Sequence, residues 1–297
     1  MTYSLRLRQL VQRLSHRKVR HWFGGRTVMR DVQGVSLAMP RSHRLPDHVR
    51  LFPSYGQNLV DLAVCLGEID RPLGVIDVGA NIGDSAVQIL AKVDARVLCV
   101  EADHEYLPYL KRNVGSDDRC VIEFGLLVTD TGEASGLGAV RKGGTTRFVQ
   151  GGAPVAAAAL TVAELPIRHP ELPPIRLVKS DTDGHDTTLI PALARAYSSS
   201  RPVLFFEYDH YLSHLAGVAD PTAVWGKLKD AGYSFVGIWD DFGKPIQVVS
   251  IDEVPTIASV MDKPVSDRGY HYWDVAVVHA DDNAGRAAVD RLFAAGR

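Results

Sequence analysis

Seven apolar, β-rich runs recur along the chain: GVIDVG (74–79), ARVLCVE (95–101), CVIEFGLLV (120–128), IRLVKSD (175–181), PVLFFEY (202–208), YSFVGIWD (233–240) and YWDVAVVHA (272–280). Stretches of helical character alternate with them, which is the pattern of a parallel sheet covered on both faces, so the fold class is α/β. Helices are expected to begin near Gly83, Asp103, Gly184 and Asp220, the last with Pro221 at its first position behind a capping aspartate. Between the third and fourth strands, EASGLGAVRKGGTTRFVQGGAPVAAAAL and ELPIRHPELPPIR read as loop and hairpin, either a lid over a site or a surface excursion.

At the other end of the chain, residues 1–30 are basic and contain no acid. Leu7, Leu10, Val11 and Leu14 recur there at helical spacing. The segment lacks the apolar core and cleavage site of a secretory signal and reads as a retained amphipathic helix. Docking on the core or on a second subunit is favoured for it over contact with an anionic membrane surface. Residues 1–50 are taken as an N-terminal extension and 51–297 as one domain.

Composition changes this picture little. A chain of 297 residues with 46% hydrophobic positions can bury one large core, and a net charge of −2 gives no general attraction to nucleic acid. No apolar run approaches the roughly 20 residues needed to cross a bilayer. Cys65, Cys99 and Cys120 are odd in number and lack disulfide or zinc spacing, which fits a reducing cytoplasm.

Candidate chemistry begins at GVIDVGANIGDSAVQIL, a strand, a glycine turn and a helix start. Asp77 stands where a dinucleotide fingerprint wants a glycine beside the pyrophosphate, and an acid there argues against phosphate. Glu101, at the end of the second strand, lies where such folds set a carboxylate against ribose hydroxyls. A nucleoside whose other end is not anionic fits both, and S-adenosylmethionine is such a molecule, with its carboxylate expected to meet the backbone amides of the turn.

The ends of the fourth and fifth strands, LVKSDTDGHDTTLI and PVLFFEYDHY, bring Asp181, Asp183 and His185 towards Glu207, Asp209 and His210. Asp183 and Asp186 have a bland reading as helix-start residues; Glu207 behind VLFF has none. Activating a hydroxyl nucleophile calls for a base or a metal. Asp181, Glu207 and Asp209 offer hard oxygen ligands to Mg2+, while His185 or His210 has the titration range of a base. Tyr55 and Asn58, just before the first strand, are candidates to close over the cofactor or simply to pack a helix.

The segments VIDVGANIGDSAVQIL, VLCVEADHEYLPYLKRNV, LVKSDTDGHDTTLIPAL and PVLFFEY stand in the order and spacing of the FkbM family of methyltransferases, which the chain resembles from about Tyr55 to Tyr208. The resemblance implies a class I, Rossmann-like sheet of seven strands with the last antiparallel, S-adenosylmethionine as donor, and methylation of a hydroxyl on a sugar, polyketide or related acceptor. It matches Asp77, Gly79, Asn81 and Gly83, with Ala80 among them, to the cofactor turn, Glu101 to the ribose acid, and Lys179, Asp181 and Gly184 to the lysine-x-aspartate and glycine positions. Asp183 and Asp186 depart from the family's glutamates, and with FFEYDH and GYSFVGIWDDFG they point to the branch associated with cell-surface glycans and glycolipids. Two rivals stand beside this reading. A nicotinamide-dependent oxidoreductase would want the G-x-G-x-x-G turn that Asp77 breaks, and a non-catalytic binding protein would have no need of the strand-tip acids.

Overall fold

The structure, a computed structural model, describes residues 26–295. The amphipathic helix expected around Leu7–Leu14 lies outside the described residues. Fifteen strands are present among them: β1 (Thr27–Val32), β2 (Val35–Pro40), β3 (Leu73–Val78), β4 (Ala95–Glu101), β5 (Cys120–Phe124), β6 (Leu126–Val128), β7 (Leu137–Lys142), β8 (Thr145–Gln150), β9 (Ala153–Pro154), β10 (Ala159–Thr161), β11 (Ile175–Ser180), β12 (Val203–Tyr208), β13 (Tyr233–Asp240), β14 (Pro245–Ser250) and β15 (Trp273–His279).

Eight of them form the central sheet, in the order β14-β13-β15-β12-β11-β3-β4-β5. The neighbours from β5 through β12 pair in parallel, whereas β15 runs antiparallel to both β12 and β13. This is the expected α/β sheet with an antiparallel last strand. It carries one addition, because β14 pairs antiparallel with β13 and makes an eighth strand at the edge. Strand order reverses at β3, which lies between β4 and β11, and the carboxyl ends there open into the crevice where such sheets bind ligands.

Both faces are covered, which is why every residue of β3 is buried and the strand reads as a continuous apolar run. Ile76, Val78, Leu98, Val100, Leu204 and Phe206 pack with Leu189, Ile190 and Leu193 of helix Asp186–Ala196. Val75, Val97, Leu177, Val203 and Phe205 face the other way, against Leu59, Leu62 and Leu66 of helix Gln57–Gly67, Ile89 of helix Asp84–Lys92, and Val289 and Phe293. A hairpin, β1–β2, and helix Leu45–Leu51 form a smaller cluster in which Leu37, Met39 and Leu45 join Ile82 and Tyr106.

Three local expectations shift. The third run splits at Gly125, whose amide donates to Glu101 O, so that β5 stays in the sheet while β6 turns away to pair with β10. The helix expected near Asp103 starts at Leu107, because the Asp103 carboxylate accepts the Glu105 amide and holds a turn first. Asp220 likewise accepts the Thr222 amide, and its helix runs Ala223–Asp230. Among the described residues no helix is long and apolar enough to cross a membrane.

Candidate active site

Gly79 has φ +74° and Asn81 has φ +52°, so the chain leaving β3 turns through two left-handed residues, which asparagine tolerates and glycine adopts freely. A Cβ on Gly79 would collide with Asp181 O, the first residue after β11. Gly79 N and Ala80 N both donate to Val100 O, at 3.0 and 3.1 Å, and Gly83 N donates to Ala80 O at 2.7 Å. The Gly79, Ala80 and Gly83 amides are thus taken up within the protein. Gly83 acts in packing: a Cβ there would press on Leu110 Cδ1 at 2.8 Å.

The amide of Asn81 goes instead to Glu101. Glu101 Oε2 accepts Asn81 N at 2.6 Å and Oε1 accepts Asp103 N at 2.5 Å, which fixes the carboxylate plane at the tip of β4. Burial pushes its pKa up to about 7 against the pull of the Asp103, Asn81 and Ala102 amides. A carboxylate offers about four lone-pair positions, so the amides do not use up its capacity to accept from a hydroxyl.

Glu101, Gly79, Asn81, Asp181, Asp183 and His185 all line one cavity of about 440 Å³, together with apolar Ala102, Leu126, Val128, Leu137 and Phe148. That volume is within the range of small-molecule sites. The β7–β8 hairpin, in the glycine-rich segment, supplies Leu137, Thr145, Thr146, Phe148 and Gln150 to the wall. Of the two readings of that segment, covering the site is the one the structure adopts. His185 Nε2 bonds to Phe148 O at 2.8 Å, so this ring is anchored to the hairpin.

Asp77 precedes the lining residues Val78 and Gly79 and is itself outside the cavity wall, 1% exposed, with Oδ1 2.9 Å from Lys179 Nζ. The two residues sit in register on β3 and β11, and Lys179 also reaches Asp181 Oδ2 at 3.5 Å and Gly79 O at 3.3 Å. Asp77 Oδ2 is buried and accepts no hydrogen bond among the described residues.

A second group forms on the far side of Asp181. Glu207 and Asp274 are cross-strand partners on β12 and β15, and Asn58 Nδ2 donates to Asp274 Oδ2 at 2.8 Å. Tyr55 and Tyr272 stand in the same place, their hydroxyls pushed up by burial and by the charges of Asp181, Glu207 and Asp274. Burial and then the charge of Asp181 push Glu207 well above the usual carboxylate range, and burial lifts Asp274 to about 7. Tyr55 and Asn58 therefore stand beside Asp181 and Glu207 and away from the cavity wall.

The remaining expected site residues have other duties. His210 uses both ring nitrogens, Nε2 on Tyr208 OH at 2.7 Å and Nδ1 on Asp262 Oδ1 at 2.9 Å, which leaves no lone pair for an acceptor hydroxyl. Asp209 Oδ1 accepts Leu212 N at 3.0 Å and caps helix His210–Leu215, so the expected set Asp181, Glu207, Asp209 loses its third member. Among the described residues no three acidic, histidine or cysteine side chains come together as ligands for a cation. Asp186 accepts from Ser180 Oγ, Thr182 N and Thr182 Oγ1 and organises the loop after β11.

Sequence reasoning passed over Tyr272, Asp274, Asp103 and Arg141. Asp274 was hidden inside a strand run, and only the pairing of β15 with β12 puts it beside Glu207. Asp103 shared the short string EAD with Glu101 but carried no motif of its own.

No protein-family model matches the chain, and a search of curated proteins finds no match. Among solved structures, precorrin-6y C5,15-methyltransferase from Geobacter metallireducens is 12% identical with a TM-score of 0.40, over 75% of this chain and 86% of that one. Methanococcus jannaschii fibrillarin, a pre-rRNA processing protein, is 10% identical with a TM-score of 0.40, over 71% of this chain and 68% of that one. The assignment of the fold rests on the sheet order and strand directions above.

Proposed function

We propose that the chain is an S-adenosylmethionine-dependent O-methyltransferase of FkbM type, acting on a hydroxyl of a sugar-bearing acceptor. The observation that carries this reading is the fixed carboxylate of Glu101 in the wall of a partly apolar cavity, with a row of acids beginning at its far edge with Asp181. Glu101 would hold the ribose diol, Leu126, Val128 and Phe148 would flank the base, and Asp77, buried behind the wall, would act on the ammonium through its charge alone. The cofactor supplies an electrophilic methyl on a sulfonium.

The chain's own part is to bring a hydroxyl oxygen into line and to take its proton. Glu207, whose carboxyl is pushed up by burial and by Asp181, is the base assigned here, because raised proton affinity makes a carboxylate a better acceptor from a hydroxyl. Asp181, with a side chain 54% exposed, orients the acceptor at the mouth. Positioning contributes the rest of the acceleration.

Calorimetric titration is expected to show adenosylhomocysteine binding and no NAD binding. In a transfer assay from labelled S-adenosylmethionine to a panel of sugar hydroxyls, the wild type should turn over with or without EDTA, and Glu207→Gln should lose turnover while still binding adenosylhomocysteine. NAD binding without adenosylhomocysteine binding would overturn the cofactor, binding without turnover on any acceptor would leave a non-catalytic binding protein, and loss of turnover in EDTA would restore a metal.

A further inference from the structure

The β7–β8 hairpin is attached to the rest of the molecule at the nucleoside cavity and, at its tip, to Arg44 at the start of helix Leu45–Leu51. Arg141 of β7 grips Asp103 with two hydrogen bonds, Nε to Oδ2 at 2.6 Å and Nη2 to Oδ1 at 2.7 Å. Thr146 of β8 donates its hydroxyl to the same carboxylate. At the tip, Asn81 Nδ2 donates to Gly144 O at 2.8 Å and Arg44 N donates to Gly143 O at 3.2 Å. Gly136 and Gly151, at the two feet, both have left-handed φ and are joined by a hydrogen bond from Gly151 N to Gly136 O, at 3.2 Å. Left-handed glycines flank the hairpin, β9 pairs with β7 just beyond Gly151, and Ala139 and Phe148 pack against Ala102, Leu126 and Val128, so the hairpin and β9 form one piece seated on the cavity with glycine joints beside it.

Asp103 is the residue where this construction meets the site. Its side chain is fully enclosed and receives the hairpin, while its own amide donates to Glu101 Oε1. We infer that the hairpin is a flap over the nucleoside cavity, and that Asp103 is a positioning residue through which closure of the flap sets the Glu101 carboxylate for its ligand. With Arg141 and Thr146 in place, the Asp103 backbone is pinned and Glu101 Oε1 is held in one orientation. With the flap lifted, Asp103 loses three hydrogen bonds from two residues and the orientation is no longer imposed. Linkage then requires the reverse effect: a ligand on Glu101 must favour the closed flap.

The inference rests on the ligand reading proposed above, and a double-mutant cycle separates the two. Adenosylhomocysteine affinity is measured for the wild type, Arg141→Ala, Glu101→Gln and the double variant, with hydrogen exchange followed at the hairpin amides. Arg141→Ala is expected to weaken binding about tenfold in the wild-type background, and by less than about twofold when Glu101→Gln is already present. A hairpin that merely adds wall area would weaken both backgrounds alike. In the wild type the ligand should slow exchange at residues 137–150, and in Arg141→Ala the slowing should shrink. Should Arg141→Ala fail to fold, Thr146→Val removes a single donor to Asp103 and carries the same cycle. Wild-type protein that does not bind adenosylhomocysteine refutes the ligand reading and this inference together. Normal affinity in Arg141→Ala, or additive losses in the double variant, refutes the flap coupling and leaves the ligand reading standing.

Discussion

At the scale of single residues, partners decide what a polar side chain can do. Glu101 and His210 were both attractive from their positions at strand tips. Glu101 keeps lone pairs towards a cavity, whereas His210 is closed between Tyr208 and Asp262. Sequence spacing could bring Gly79, Asn81, Glu101, Asp181 and His185 to one edge of a sheet, because strand ends in this fold class are predictable. It could not tell that Asp209 would cap a helix, since aspartate serves both roles equally well. The pKa of Glu101 gives a direct test. A ribose diol needs the ionised carboxylate, and with a pKa near 7 only about a tenth is ionised at pH 6. Adenosylhomocysteine should therefore bind about tenfold more weakly at pH 6 than at pH 8. Glu101→Gln should bind weakly at both values with that slope removed. An equal slope in wild type and variant would mean that another group controls binding.

Among the elements, the strands of the central sheet were the most legible feature and the connections the least. Apolar runs mark strands buried on both faces whatever surrounds them, but the split of CVIEFGLLV at Gly125 depends on Leu160, distant in sequence, whose Cβ lies 3.0 Å from where a glycine Cβ would stand. The same limit applies to β14, an edge strand defined only by its pairing with β13. The turn after β3 is the element on which the site depends most tightly. Gly79→Ala puts a methyl against Asp181 O in a backbone conformation that disfavours any side chain. It should lower stability by about 1–3 kcal/mol and reduce adenosylhomocysteine binding. Gly34→Ala, also at positive φ but with nothing within 4 Å and away from the cavity, is the control for backbone strain without collision. Urea unfolding and titration of both variants check this; equal losses in the two would show that the Asp181 contact is unimportant.

Across the whole molecule, the sheet gathers its difficult charges at one edge. Asp183, Asp241 and Asp274 are lifted by burial to about 7, Glu101 likewise to about 7, and Asp84 to about 6, with Glu207 well above its usual range. All of these lie at the end of the sheet where β3, β4, β11, β12 and β13 finish and the antiparallel β15 begins, the strand ends that the pattern of the chain marked as the lining of a crevice. What the pattern could not convey is that the acids are crowded enough to disfavour ionisation. Each binds its proton more tightly folded than unfolded, so between pH 4 and 7 the folded state holds the greater number of protons. The sign follows: this contribution to stability is fully present below the unfolded values near 4 and is lost as the pH rises through about 7. Acids held low by hydrogen bonds, Asp103, Asp117 and Asp220, act oppositely, and their contribution is lost only in stronger acid. The urea midpoint should accordingly be highest near pH 5 and decline towards pH 8, the range in which the proposed base and ribose acid must ionise to work. Glu207→Gln removes one such carboxyl without changing its shape. It should raise the midpoint at pH 8, leave it nearly unchanged at pH 5, and abolish methyl transfer, a stability gain at the expense of activity that marks functional groups. A midpoint that rises steadily from pH 5 to pH 8, or a Glu207→Gln variant that loses stability at pH 8, would show that these acids are stabilised as anions and that Glu207 is a structural carboxylate.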